Sequence, residues 1–178
     1  KEIIKNFKKA TILRPSVIFS QGDNFSCNLM TLIGRLPFFP VYYNGRTKFS
    51  PIHCSDLTEI ILKIIDDKIY SEIIECTGPE IITFKEIILI LMKLIEKNRL
   101  IVPMPILAAK ITASLFELLP SPLITNDQLR LLKYDSILSG KYKSNVDINY
   151  ECKLKFEDEV QKYCYMWKEF GEYSKKKN

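Results

Sequence analysis

Apolar positions recur along this chain in two rhythms, one with the period of a strand and one with that of a helix. Residues 11–19 form a β-branched run whose apolar face is interrupted by Arg14 and Pro15, and proline in such a run marks an edge, a bulge or a strand end. Phe25, Leu29, Leu32 and Ile33 then follow helical spacing until Pro37 and Pro40 end the pattern. Residues 41–43 and 48–52 read as two short extended pieces around the turn Asn44-Gly45.

Two strong helices are predicted next. Ser55 is the expected N-cap of the first, with Asp56 in its first turn and Leu57, Ile60, Ile61, Ile64 and Ile65 forming one stripe up to Asp67. Residues 73–76 give a short strand closed by Thr77-Gly78-Pro79, and Thr83-Phe84-Lys85-Glu86 is a capping box that opens a helix running to about Lys97. Residues 100–102 form a strand stopped by Pro103 and Pro105. Residues 106–119 are almost continuously apolar, which fits a core helix or cavity wall, with a docking surface or a membrane surface as alternatives. A second capping box, Thr125-Asn126-Asp127-Gln128, opens a short helix through Leu132. Val160, Tyr163, Met166, Trp167 and Phe170 place a last helix before the lysine-rich end.

Strands alternating with helices predict an α/β fold in which helices starting at Ser55 and Thr83 cover a small sheet built from strands near Thr11, Ile73 and Leu100. So few strands leave one flank of a parallel sheet open. Ile3, Ile4 and Phe7 read like the end of a helix, so the chain is expected to be an excised piece whose neighbouring strands lie upstream of Lys1.

Composition narrows the function classes. At 178 residues and 47% hydrophobic content the chain suffices for one globular domain. The formal net charge of +5 owes much to Lys175, Lys176 and Lys177, so it does not imply a nucleic-acid partner. Five widely spaced cysteines without a Cys-x-x-Cys pair, and the single histidine His53, argue against zinc and against a disulfide framework. No apolar run reaches the roughly 18 residues of a membrane span, and no signal-peptide layout is present. A soluble, cytoplasmic protein is expected, with a position at the inner face of a membrane as the variant.

Three blocks in fixed order carry a family likeness: Leu13-Arg14-Pro15 with Gly22-Asp23-Asn24-Phe25, then residues 48–56 (Lys-Phe-Ser-Pro-Ile-His-Cys-Ser-Asp), then Cys76-Thr77-Gly78-Pro79-Glu80 with the helix after Thr83. Together they resemble the carboxyl-terminal half of the extended and atypical short-chain dehydrogenases, the NAD-dependent epimerase/dehydratase superfamily. A fourth block, residues 118–132, is similar to an atypical subgroup that includes the NADPH-binding accessory subunit of respiratory complex I. The resemblance implies an incomplete Rossmann-like, doubly wound α/β fragment with a helix-rich substrate-side lobe.

It implies further that the glycine-rich phosphate loop and the catalytic Tyr-x-x-x-Lys lie upstream of residues 11–19. This chain has six glycines and no Gly-x-Gly-x-x-Gly. Its only Tyr-x-x-x-Lys, Tyr173 to Lys177, sits in a charged tail where chance explains it. No catalytic residue is therefore assigned here. By the resemblance, NADP or NAD serves the full-length protein, with none expected to bind this chain alone, and Arg14, Pro15 and Ser16 would meet the nicotinamide end. Asn24 would meet substrate, and Arg46 and Lys48 would pair with a diphosphate.

Each residue also has a plainer role. Arg14 fits a structural ion pair, Asn24 an Asx-turn, and Arg46 with Lys48 a solvated hairpin edge. His53 beside Cys54 fits a satisfied core imidazole better than a thiolate's base. Two functions follow. One is a binding module like the complex I subunit, in which NADPH has a structural or regulatory role. The other is an epimerase, dehydratase or reductase acting on a nucleotide sugar or similar carbonyl substrate. The expected partners are the absent amino-terminal half, a respiratory complex, or a second copy of the chain.

Overall fold

The computed structural model describes residues 2–105 and 130–173. The predictions for residues 106–129, including the second capping box and most of the fourth block, lie outside the described residues. The chain opens with a short helix α1 (Glu2–Asn6). The run from 11 to 19 then divides into β1 (Ile12–Pro15) and β2 (Ile18–Phe19). The reason is Pro15: it ends the ladder that β1 shares with one partner, and after Ser16 and Val17 the chain resumes against another.

β1 runs parallel to β6 (Ile73–Cys76), with Arg14 opposite Glu75 and Pro15 opposite Cys76. On the far side β6 pairs in parallel with β9 (Lys143–Ser144), so the principal sheet has the order β1-β6-β9 and β1 is its edge among the described residues. β2 pairs in parallel with β5 (Ile52–His53). β4 (Lys48–Phe49) pairs antiparallel with β7 (Ile82–Thr83).

The strand near Leu100 departs from expectation. β8 (Leu100–Pro103) does not join the Thr11 and Ile73 strands but pairs in parallel with β3 (Phe38–Val41). β3 follows directly on α2 (Ser26–Arg35). The prolines at 37 and 40 had hidden it; Pro40 is tolerated because β3 pairs on one side only. The predicted extended piece at 41–43 accordingly stops at Val41, and the chain turns through Tyr43, Asn44 and Gly45, all at positive φ.

Helix α3 (Cys54–Asp66) is capped two residues earlier than predicted. His53, not Ser55, is the N-cap, and its Nδ1 accepts from the Ser55 N–H at 3.3 Å. Ser55 lies inside the helix. Ile60 and Ile64 are buried against Ile52, Ile74 and Cys76, whereas Ile61 and Ile65 of the predicted stripe face outward. Helix α4 (Phe84–Leu94) has the predicted capping box, and Ile87, Ile88 and Leu91 are fully buried. The last helix is shorter than expected: α5 (Phe156–Gln161) gives way to a 3₁₀ turn at Cys164–Trp167. Phe156, Val160, Tyr163 and Trp167 nonetheless reach the core of α2 and α4.

Two apolar clusters result. The larger joins α2, α4 and α5, and the smaller joins α3, β6 and Ile148 with Cys152. Between the end of β1 and the first cluster a cleft opens.

Candidate functional site

β1 ends at Pro15, and the carboxyl ends of strands in open α/β sheets are where ligands settle. A cavity of about 640 Å³ lies there, with Pro15 and Ser16 at one end and Asn24, Asn28 and Arg35 along the α2 side. Leu131, Tyr134 and Ser136 line the facing wall. Ser16 is buried and anchors that wall to the sheet, its Oγ donating to the Ser136 carbonyl at 2.6 Å.

Of the residues singled out for a dinucleotide, Pro15 and Ser16 therefore line the cavity. Arg14 points elsewhere: its guanidinium lies 3.9 Å from the buried Glu75 carboxylate and 5.1 Å from the centre of the Tyr142 ring. Glu75 also accepts from the Ser139 N–H at 2.8 Å and from its hydroxyl at 2.7 Å, so β9's approach loop is tied to the same carboxylate.

Of the substrate candidates, Asn24 lines the cavity. Arg46 and Lys48 are exposed and do not line it. Lys48 contributes instead through its backbone N–H, which donates to Asp135 Oδ1 at 2.8 Å. The Asx-turn role weighed for Asn24 belongs to its neighbour: Asp23 accepts from the N–H groups of Ser20, Phe25 and Ser26 and from the Ser26 hydroxyl, which also meets Tyr163 Oη at 2.8 Å. That network pins the loop, and burial pushes the Tyr163 hydroxyl's pKa well up, so it stays protonated. Asn24 is thereby left facing the cleft.

His53 is satisfied as a cap and packs edge-on against Phe19 at 5.2 Å between ring centres. Four of the five cysteines are buried, and Cys76 is pushed to about 11 by burial, which makes it a core thiol and not a nucleophile. Among the described residues no group of His, Cys, Asp and Glu side chains has metal-binding geometry. Asn28 and Arg35 escaped the sequence reading. Their signal was available: from Asn24 they follow at steps of four and seven residues, one face of α2.

The fold places the chain in a class. It is that of about half of an NAD-dependent epimerase or dehydratase. UDP-glucose 4-epimerase of Thermus thermophilus, solved with NAD, matches with a TM-score of 0.60 at 12% identity, over 93% of this chain and 49% of that one. UDP-glucuronic acid 4-epimerase of Bacillus cereus matches with a TM-score of 0.60 at 15% identity, over 90% and 47%. The dTDP-glucose 4,6-dehydratase of Streptomyces venezuelae matches with a TM-score of 0.59 at 14% identity, over 98% and 49%.

By sequence the chain is similar to one particular curated protein in two organisms. It is 37% identical over 87 residues to NADH dehydrogenase (ubiquinone) 1 alpha subcomplex subunit 9, mitochondrial, of Dictyostelium discoideum, and 27% identical over 148 residues to its Arabidopsis thaliana namesake. These matches cover 48% and 77% of this chain but 23% and 37% of the relatives, so the chain spans well under half of the curated relatives it matches. No family model matches the chain.

Proposed function

We propose that this chain is the substrate-side half of an NAD(P)-binding, short-chain-dehydrogenase-like subunit of a respiratory NADH dehydrogenase, seated on the inner face of the membrane. The observation that carries the reading is the 148-residue match to the Arabidopsis subunit, which runs through most of the chain. The fold supports it, since the structural neighbours are solved with NAD or NADPH and this chain aligns with about half of each.

In this reading the dinucleotide is held chiefly by an amino-terminal half whose strands continue the sheet from β1. The residues present fit only one end of such a cofactor: a β1 edge unpaired among the described residues, and a cleft beginning at Pro15. None of the six glycines makes a phosphate cradle of the Gly-x-Gly-x-x-Gly kind. Pro15 and Ser16 would bound the nicotinamide end, with Arg14 held beside them by Glu75, and bound NAD(P) would supply hydride transfer or a structural anchor. Asn24 would orient the substrate. Arg46, on the turn before β4, and Lys48, the first residue of β4, would meet a ligand's outer part.

The alternative is an active epimerase or dehydratase on a nucleotide sugar. The cation pair it would use against a diphosphate does not line the cleft, which favours the first reading. No helix among the described residues is long and apolar enough to cross a membrane. The test is affinity capture of the tagged protein from its own mitochondria, with mass-spectrometric identification. Recovery of NADH dehydrogenase subunits in fixed ratio is the expected result. A tagged protein migrating alone on native gels would overturn it.

A further inference from the structure

The cleft carries a chemical signature that the dinucleotide reading does not use. Asn24, Asn28 and Arg35 form a polar rail along α2, and Phe25, Leu29, Leu32, Phe39, Phe49 and Phe84 supply an apolar channel beside it. Within α2 Asn28 and Arg35 are seven residues apart, about 10 Å at the α-helical rise, and Asn24 extends the rail into the loop before the helix, so the channel is elongated.

Charge on this lining is unequal. Arg35 sits in the last turn of α2, where a cation would ordinarily serve the orphan carbonyls. That task is already filled: Arg99 Nε donates to the Ile33 carbonyl at 2.9 Å and its Nη2 to the Gly34 carbonyl at 3.4 Å. Arg35 itself has no ion pair among the described residues. The one carboxylate of the lining, Asp135, is engaged by the Lys48 N–H, and the Thr31 hydroxyl is used between the Cys27 carbonyl and Trp167 Nε1. Among the described lining residues the polar groups without a hydrogen-bond partner are the Asn24 and Asn28 amides, the Tyr42 and Tyr134 hydroxyls and one guanidinium, that of Arg35.

We propose that the cleft binds an elongated amphipathic anion, an apolar chain lying in the phenylalanine and leucine channel with a single carboxylate or phosphate head against Arg35. A guanidinium forks two donors onto either head group, and a cavity of this size suits a ligand of drug-like bulk. A sugar nucleotide is the poorer fit, because two phosphates would meet one lining cation. The proposal rests on the reading above only in taking this cleft as the ligand site.

The test is a fluorescence titration of the whole chain with a conjugated-polyene fatty acid, followed by competition with oleate, its methyl ester, oleoyl lysophosphatidate and UDP-glucose. Saturable binding at one site is expected, displaced by oleate or the lysophosphatidate and not by UDP-glucose. Oleate should compete about tenfold better than its ester, and Arg35→Gln should erase that tenfold preference while leaving the ester unchanged. Arg35 is exposed and has no ion pair among the described residues, so Arg35→Gln is expected to leave the fold intact, and Leu32→Trp, which fills the channel, should abolish binding of acid and ester alike. Absence of saturable binding, an acid preference intact in Arg35→Gln, or displacement by UDP-glucose would each overturn the proposal. None of these results bears on whether the protein is recovered with NADH dehydrogenase subunits, so the two readings fail separately.

Discussion

Asp56 shows how much structure a single buried carboxylate can hold in this protein. It is 5% exposed, and it accepts from Tyr150 Oη at 3.1 Å and from the Lys153 and Leu154 N–H groups at 3.2 and 3.1 Å. The sequence shows only an acidic residue in a helix's first turn, suited to the dipole. Its long-range task, fastening residues 150–154 to α3, depends on partners about 94 to 98 positions away and is not written in any local pattern. Asp56→Ala leaves three donors without an acceptor and is expected to cost roughly 2–4 kcal/mol of unfolding free energy in urea titrations. A second readout is specific to the contact. Burial, then the hydrogen bond and charge of Asp56, push the Tyr150 hydroxyl to about 12, so Asp56→Asn should lower its titration midpoint in ultraviolet absorbance. An unchanged tyrosine titration with an unchanged stability would contradict the tether.

At the scale of elements, legibility followed locality. The capping box at Thr83 is local and appears as read: Glu86 N–H donates to Thr83 Oγ1 at 3.2 Å, and the Thr83 N–H returns to Glu86 Oε2 at 2.7 Å. Thr83→Ala should cost about 1 kcal/mol. Those hydrogen bonds hold the Glu86 carboxyl below the ordinary glutamate value. The bond therefore stabilises the fold above about pH 4.3, the unfolded glutamate value, and fades as acid protonates the folded form. Glu86→Gln should flatten that part of the acid limb of stability, and an unchanged limb would dismiss the box as a contributor. The misplacements all came from non-local choices. β8 pairs with β3 because α2 delivers Phe39 and Val41 into the core formed with α4, which no window around Leu100 reveals. His53 displaces Ser55 as cap because the β5 pairing fixes where extended backbone ends. Of the residues the motif singles out, Pro15, Ser16 and Asn24 line the cleft, whereas Arg35 stands out only once Arg99 is seen to occupy the helix end.

At the scale of the whole molecule, the sheet edge at β1 and the outward apolar residues are the distinctive features. Ile3, Phe7 and Ile65 are each more than 60% exposed, and β1 has a single neighbour among the described residues. Such an edge invites another strand. The isolated chain should self-associate with rising concentration in light scattering, and a strict monomer throughout would speak against an open flank. The proposed function would divide the cofactor's affinity. Phosphate binding in a doubly wound sheet comes from the first strand, its glycine turn and the following helix N-terminus, while the part of this chain that would meet the cofactor is the cleft at Pro15. Contacts to one end of a dinucleotide must also offset the ordering of a half-pocket. The direct measurement is calorimetric titration of NADPH into this chain alone and into the same chain joined to a dinucleotide-binding amino-terminal half. No measurable heat is expected for the chain alone and saturable binding for the joined protein; micromolar binding by the chain alone would overturn the proposed division of the dinucleotide site.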